Sequence, residues 1–131
     1  MVPAFCALSP RQAAPYQQAV DELRTGLETT TGIERRGIVL AFMMRFKQIA
    51  NHLSHWLGDD RWHEADSGKF RRLREIGETI VAKQEKALVF TQFREMTGPR
   101  STFLASVFGR PGLVLHGATP VPQRKRIVDQ F

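Results

Sequence analysis

Only two stretches of this chain read as β-strands, Ala87–Phe90 inside KALVFTQF and Leu113–His116 in LVLHG. That scarcity constrains the fold more than any other feature. Each is a short apolar run bounded by charged or glycine-containing sequence, the pattern of a strand covered on both faces. From Ser67 onward the predicted order is α-β-α-β-α. Strands alternating with helices imply a parallel sheet with right-handed crossovers. Two strands are too few for a sheet that stands alone. The chain also stops at Phe131, in or at the end of a helical pattern, without C-terminal punctuation. The expected architecture is therefore α/β, an incomplete parallel-sheet lobe over residues 67–131 preceded by a helical segment over residues 1–66.

The helical expectations rest on caps and periodicity. Ser9 with Gln12 three residues on is a capping box, and Pro10 suits the first helical position. Tyr16, Val20, Leu23 and Leu27 follow at helical spacing, and Thr-Thr-Thr-Gly ends the element. Pro15 lies too deep for a first-turn proline, so a kink or a later start is expected there. A second helix spans about Ile33 to Leu53. Phe42, Phe46, Ile49 and Leu53 mark one face, broadened by Ile38, Val39, Met43 and Ala50; Arg35, Arg36, Arg45 and Lys47 sit near its polar side. SHWLGDDRWHEAD has no period and reads as a loop. Ser67 caps a third helix, whose first turns carry Lys69, Arg71, Arg72 and Arg74. Cations there oppose the helix dipole, which either answers an external anion or leaves solvated arginines. Gly98-Pro99 is expected to break the helix after the first strand. Thr119 is expected to cap a last helix with Pro120 at its first position. Phe90, Phe93, Phe108 and Phe131 are expected in the core.

Charge separates the two halves. Residues 1–66 carry seven Lys/Arg against eight Asp/Glu, whereas residues 67–131 carry twelve against five, a net of +7 within a chain total of +6. A basic half suits a polyanionic partner, and a solvated arginine-rich surface is the plainer alternative. No apolar run approaches the ~18 residues of a membrane span, and the opening MVPAFCALSPRQ lacks the plan of a signal peptide. Cys6 is the single cysteine, so an intrachain disulfide and a cysteine zinc ribbon are excluded.

Several signatures of catalysis are missing. There is no GxxxxGK[ST]: Ser67-Gly68-Lys69-Phe70 has the Gly-Lys without the earlier glycine or the following hydroxyl. Val20-Asp21-Glu22 imitates a magnesium-binding acidic pair but sits in a helical pattern. His52, His55 and His63 show no fourth ligand at zinc spacing and read as solvated or capping residues. Cys6 has no activating neighbour in the sequence.

Five landmarks in order carry a resemblance: ALSPRQAAPYQQAV, RFKQIANHL, DSGKFRRLREIG, KALVFTQF and LVLHGATPVPQRKRIVDQF. Together they resemble the start of the second motor lobe in the Swi/Snf family of superfamily-two helicase-like ATPases. That family's pattern is roughly L-T-x-x-Q-x-x-x-Y, L-K-Q-I-C-N-H-P, S-G-K-[FL], K-[AV]-L-[VI]-F-[ST]-Q and [HD]-G-x-T-x-x-x-x-R-x-x-x-[VI]-x-x-F. The match runs from about Leu8 to Phe131, and its wording is closest to bacterial members. Leu53 stands where the family has proline, and Pro15 where it has a helix-compatible residue.

The resemblance implies a RecA-like lobe in a protein that couples ATP hydrolysis to translocation on duplex DNA. It implies ATP and magnesium as cofactors of a full-length parent, held by a first motor lobe, with the second lobe's arginines lying beyond Phe131. Phosphoryl transfer needs all of these to converge on one phosphate, so this chain alone is expected to bind neither and to be inactive. Expected partners are DNA, through its phosphate backbone, and the first motor lobe; no membrane is expected, and self-association through an uncovered sheet edge is possible. The implied nucleic-acid-binding residues are Lys69 at the SGK helix, Gln92 and Arg94 after the first strand, His116 and Thr119 after the second, and Arg124 in the last helix. The implied location is the cytoplasm of a bacterium, at the nucleoid. Two other readings stay open on the residues alone: a non-catalytic protein-interaction module and a small basic DNA-binding domain.

Overall fold

A computed structural model describes residues 1–131, and every regular element in it is helical. The helices are α1 (Pro10–Thr29), α2 (Gly32–Asn51), α3 (Leu53–Leu57), α4 (Gly68–Ala82), α5 (Thr97–Phe108) and α6 (Val121–Gln130), with single 3-10 turns at Glu64–Asp66 and Arg94–Met96. The chain divides into two units, Met1–Leu73 and Arg74–Phe131.

The expected parallel sheet is not formed. Residues 85–91 and 111–116 lie outside any ladder. Leu88 and Phe90 are 67% and 85% exposed, and Leu113 and Leu115 about half exposed. Local composition, with β-branched Val89 and Val114, keeps both runs out of helices. A strand also needs a neighbour to accept and donate along its length, and neither run supplies one to the other. Phe90 and Phe131 are accordingly exposed, not core; Phe108 is half-buried and Phe93 is buried.

In the first unit, α1 and α2 form an antiparallel pair. The Ser9 box closes as expected: Gln12 N donates to Ser9 Oγ at 3.2 Å and Ser9 N to Gln12 Oε1 at 2.8 Å. α1 starts ahead of Pro15 and runs through it; the missing N–H leaves only the Arg11 carbonyl without its helical donor. Tyr16 meets Phe46 with ring centroids 5.0 Å apart, and Ala19 and Ile49 are fully buried. The apolar face of α2 is narrower than its sequence suggests, because Met43 is half exposed. Arg45 turns inward instead of lying on the polar side. It bonds Glu22 at 2.5 Å, holding that carboxyl below its usual pKa, and lies 4.7 Å over the Trp56 ring.

Part of the expected loop after α2 is helical. His52 breaks the helix with an extended backbone, and its Nδ1 accepts from Ser54 N at 3.0 Å, which caps α3. Leu53 is thereby the first residue of a helix. Proline is also well suited to that position, so the departure from the family pattern leaves the turn intact.

Gln12 ties three motifs together. Fully buried, its Nε2 donates to Ile49 O at 2.7 Å while its Oε1 also accepts from Gly68 N at 3.0 Å. Ser67 Oγ donates to Asn51 O at 2.7 Å and caps α4 by accepting from Phe70 N at 3.1 Å. Arg11 pairs with the nearly buried Asp66 at 2.8 Å. Gly68 packs so closely that a Cβ there would lie 1.7 Å from Ala7 O. Gly68→Ala is therefore expected to dislodge residues 1–8 and to cost about 2–4 kcal/mol. Faster amide exchange at Ser9 and Gly68, with a lowered urea midpoint, would show it; unchanged exchange at both would refute it.

In the second unit, α4 and α5 approach closely at Gly77, where a Cβ would come within 2.9 Å of Val107 Cγ1. Arg74 lies 5.2 Å over the Phe103 ring. Gly98 and Pro99 fall in the first turn of α5 and open that helix; they do not interrupt it.

Candidate nucleic-acid interface

Three of the six predicted contact residues form one cluster, at the turn that links residues 111–116 to α6. Thr119 N donates to His116 O at 3.0 Å, closing the turn. Its hydroxyl accepts from His116 N at 3.1 Å. That oxygen is therefore engaged inside the turn, and α6 begins after Pro120 with no side-chain cap. Ala118 N donates to His116 Nδ1 at 3.1 Å. With Nδ1 accepting, the neutral ring carries its proton on Nε2. Arg124 reaches back from α6, its Nε donating to Thr119 O at 2.9 Å and its Nη2 to Gly117 O at 3.0 Å. Thr119 is buried, while Gly117 and Ala118 are exposed. The result is a tight turn locked by both its own side chains and a helical arginine.

Gln92 and Arg94 stand after residues 85–91, and both are exposed. Phe93 N donates to Thr91 Oγ1 at 3.2 Å, and Thr97 Oγ1 donates to Arg94 O at 2.7 Å, so the backbone around them is held while their side chains face solvent. Sequence reasoning missed Arg100. Its Nη1 donates to Phe90 O at 3.0 Å, and burial lowers its pKa from the ordinary arginine value, although a guanidinium keeps its proton. An arginine inside the first turn of the following helix was the available signal.

Lys69 belongs to the first unit. Its Nζ donates to Asn51 Oδ1 at 3.0 Å, joining the SGK and ANH motifs. Beside it, Arg71 and Arg72 are exposed on the first turns of α4.

The chain's one Gly-Lys pair is committed to packing, with Gly68 N on Gln12 and Lys69 on Asn51. No three His, Cys, Asp or Glu side chains come together as metal ligands, and Asp21 and Glu22 are exposed on α1, bonded to Gln17, Gln18 and Arg45. No helix is long and apolar enough to cross a membrane.

No protein-family model matches the chain. It is 30% identical over 129 residues to a Bacillus subtilis protein named as an ATP-dependent helicase/translocase, YwqA, covering 97% of this chain and 14% of that protein. Against the helicase Swr1 of Emericella nidulans it is 34% identical over 86 residues, 66% of this chain and 5% of that protein. The chain thus spans a small part of the curated relatives it matches. Among solved structures, the Sulfolobus solfataricus SWI2/SNF2 ATPase C-terminal domain superposes with a TM-score of 0.89 at 29% identity, over 97% of this chain and 55% of that one. The ATPase core of the same organism in complex with dsDNA gives 0.90 at 30% identity, over 96% and 27%. With all five landmark motifs in order, the chain belongs to the SWI2/SNF2 family of helicase-like ATPases, as part of a motor domain.

Proposed function

We propose that this chain supplies a segment of the DNA track in a motor that couples ATP hydrolysis to translocation on duplex DNA. The observation that carries the reading is the +7 balance of residues 67–131, displayed on exposed Arg71, Arg72, Arg94, Arg110, Lys125 and Arg126. Binding through such side chains is dominated by phosphate contacts and is indifferent to sequence. The nucleotide and its magnesium belong, in this reading, to a first motor lobe that this chain works with. The setting that goes with such a role is a bacterial cytoplasm, at the nucleoid.

Two measurements test it. The 131-residue chain should show no DNA-stimulated ATP hydrolysis, and turnover in a preparation free of contaminating ATPases would refute that. Duplex binding followed by fluorescence anisotropy should weaken with salt, the slope of log K against log salt being about −3 to −4 for three to four phosphate contacts. No binding at ~50 mM salt would overturn the reading. Arg24→Ala, an exposed change in the near-neutral half, should leave the slope unaltered.

A further inference from the structure

We propose that Arg124 acts at this interface as a positioning residue: it braces the His116–Thr119 turn, and the turn, not the guanidinium, meets the phosphodiester. The inference rests on the DNA reading above and deepens it.

The argument starts from which polar groups of the turn are taken. Thr119 N, His116 N and Ala118 N are all committed inside it. Two carbonyls that would repel an approaching anion, Gly117 O and Thr119 O, are both bonded by Arg124. His116 Nδ1 is occupied, so its Nε2–H is the ring's remaining donor. A turn with two of its carbonyls bonded by a cation and a ring N–H left to donate is matched to phosphate oxygen.

Gly117 leaves the outside of the turn open, since a Cβ built on it would meet no atom within 4 Å. Lys125 and Arg126, exposed on α6 directly after the brace, add the favourable field.

The test separates bracing from contact. Arg124→Ala should lower duplex affinity about tenfold while leaving the salt slope unchanged, because no phosphate contact is removed. A direct contact would instead reduce the slope by about one. Arg124→Lys keeps the charge but cannot fork onto two carbonyls, so it should fail to restore affinity. Gly117→Ala should leave the urea midpoint unchanged and weaken DNA binding. Without DNA, Arg124→Ala should speed amide exchange at Ala118 and Thr119. The inference is overturned if the slope falls by about one, if lysine restores binding, or if exchange at those two amides is unmoved. Absence of binding by the unaltered chain overturns the DNA reading and this inference with it, whereas a slope loss overturns the inference alone.

Discussion

Gln12→Ala is expected to lower the stability of the chain by about 3–5 kcal/mol, in the range reserved for broken buried networks. The side chain is fully buried and makes bonds of three kinds: it donates to Ile49 O, and it accepts from Ser9 N and Gly68 N. Truncation strands one carbonyl and two amides and opens a cavity. Each unsatisfied buried group costs about 1–3 kcal/mol, though such losses are not additive. Against a domain total of about 5–15 kcal/mol, the effect would be plain in a urea titration followed by far-UV circular dichroism. Gln18→Ala is the comparison. That amide is exposed and bonds only Glu22, at 3.1 Å, so its loss should stay within about 0.5 kcal/mol. Equal midpoint shifts for the two variants would sink the hub assignment.

The same residue marks how far the sequence could be read. Ser9 and Gln12 announce a capping box because that device is local, and both of its bonds are present. Gln12's other partners are 37 and 56 residues away, and a single sequence does not display such pairings. The inner face of α2 was legible from Phe42, Phe46 and Ile49, whereas Arg45 was placed on the polar side because charge outweighs position in such a reading. Its guanidinium instead lies over the Trp56 ring and bonds Glu22. α3 escaped because five residues are too few for a period and because its cap is a histidine, outside the usual set. The predicted sheet failed for a different reason. Apolar and β-branched content marks where a helix stops, but ladder partners are a property of the surroundings.

The candidate interface was readable to a similar depth. His116, Thr119 and Arg124 were singled out as contact residues, and they do come together. The division of labour among them needed geometry, since Thr119's hydroxyl accepts from His116 N and Arg124 donates to two carbonyls. The brace itself spans only five and seven residues, short enough to be sought in other sequences as an arginine one turn into a helix that follows a Gly-x-Thr turn. Arg100, bonded to Phe90 O across ten residues, is the same device at residues 85–91. In both places a helical arginine holds a backbone carbonyl beside a proposed contact point.

Stability should fall as pH drops below about 6.5, and His52 should account for a measurable part of that fall. The ring is fully buried, with Nδ1 accepting from Ser54 N and Nε2 2.7 Å from His63 O. Only the neutral ring with its proton on Nε2 satisfies both. Burial lowers its pKa, a shift opposed by the His63 carbonyl and by the charges of Asp66 and Asp59. A histidine with a depressed folded pKa contributes its stability fully above the unfolded value and loses it as pH falls toward the folded one. The slope for one proton cannot exceed about 1.4 kcal/mol per pH unit. Protonation would aim an N–H at Ser54 N–H, uncap α3 and release residues 58–63, where Asp60 and Trp62 hold left-handed backbones at φ 58° and 53°. Trp62 reports the event, because its ring lies 5.1 Å from that of His52 and its backbone N donates to Ser54 Oγ at 3.1 Å. His52→Gln should cost about 2–3 kcal/mol at pH 8, through lost contacts with Trp62 and with Phe70, 4.9 Å away. It should also flatten the dependence of the urea midpoint between pH 7 and about 5, where the unfolded histidine takes up its proton. The other three histidines are common to both proteins, so the difference between the two profiles isolates His52. Parallel profiles, or Trp62 emission that stays constant as wild-type stability falls, would rule the assignment out.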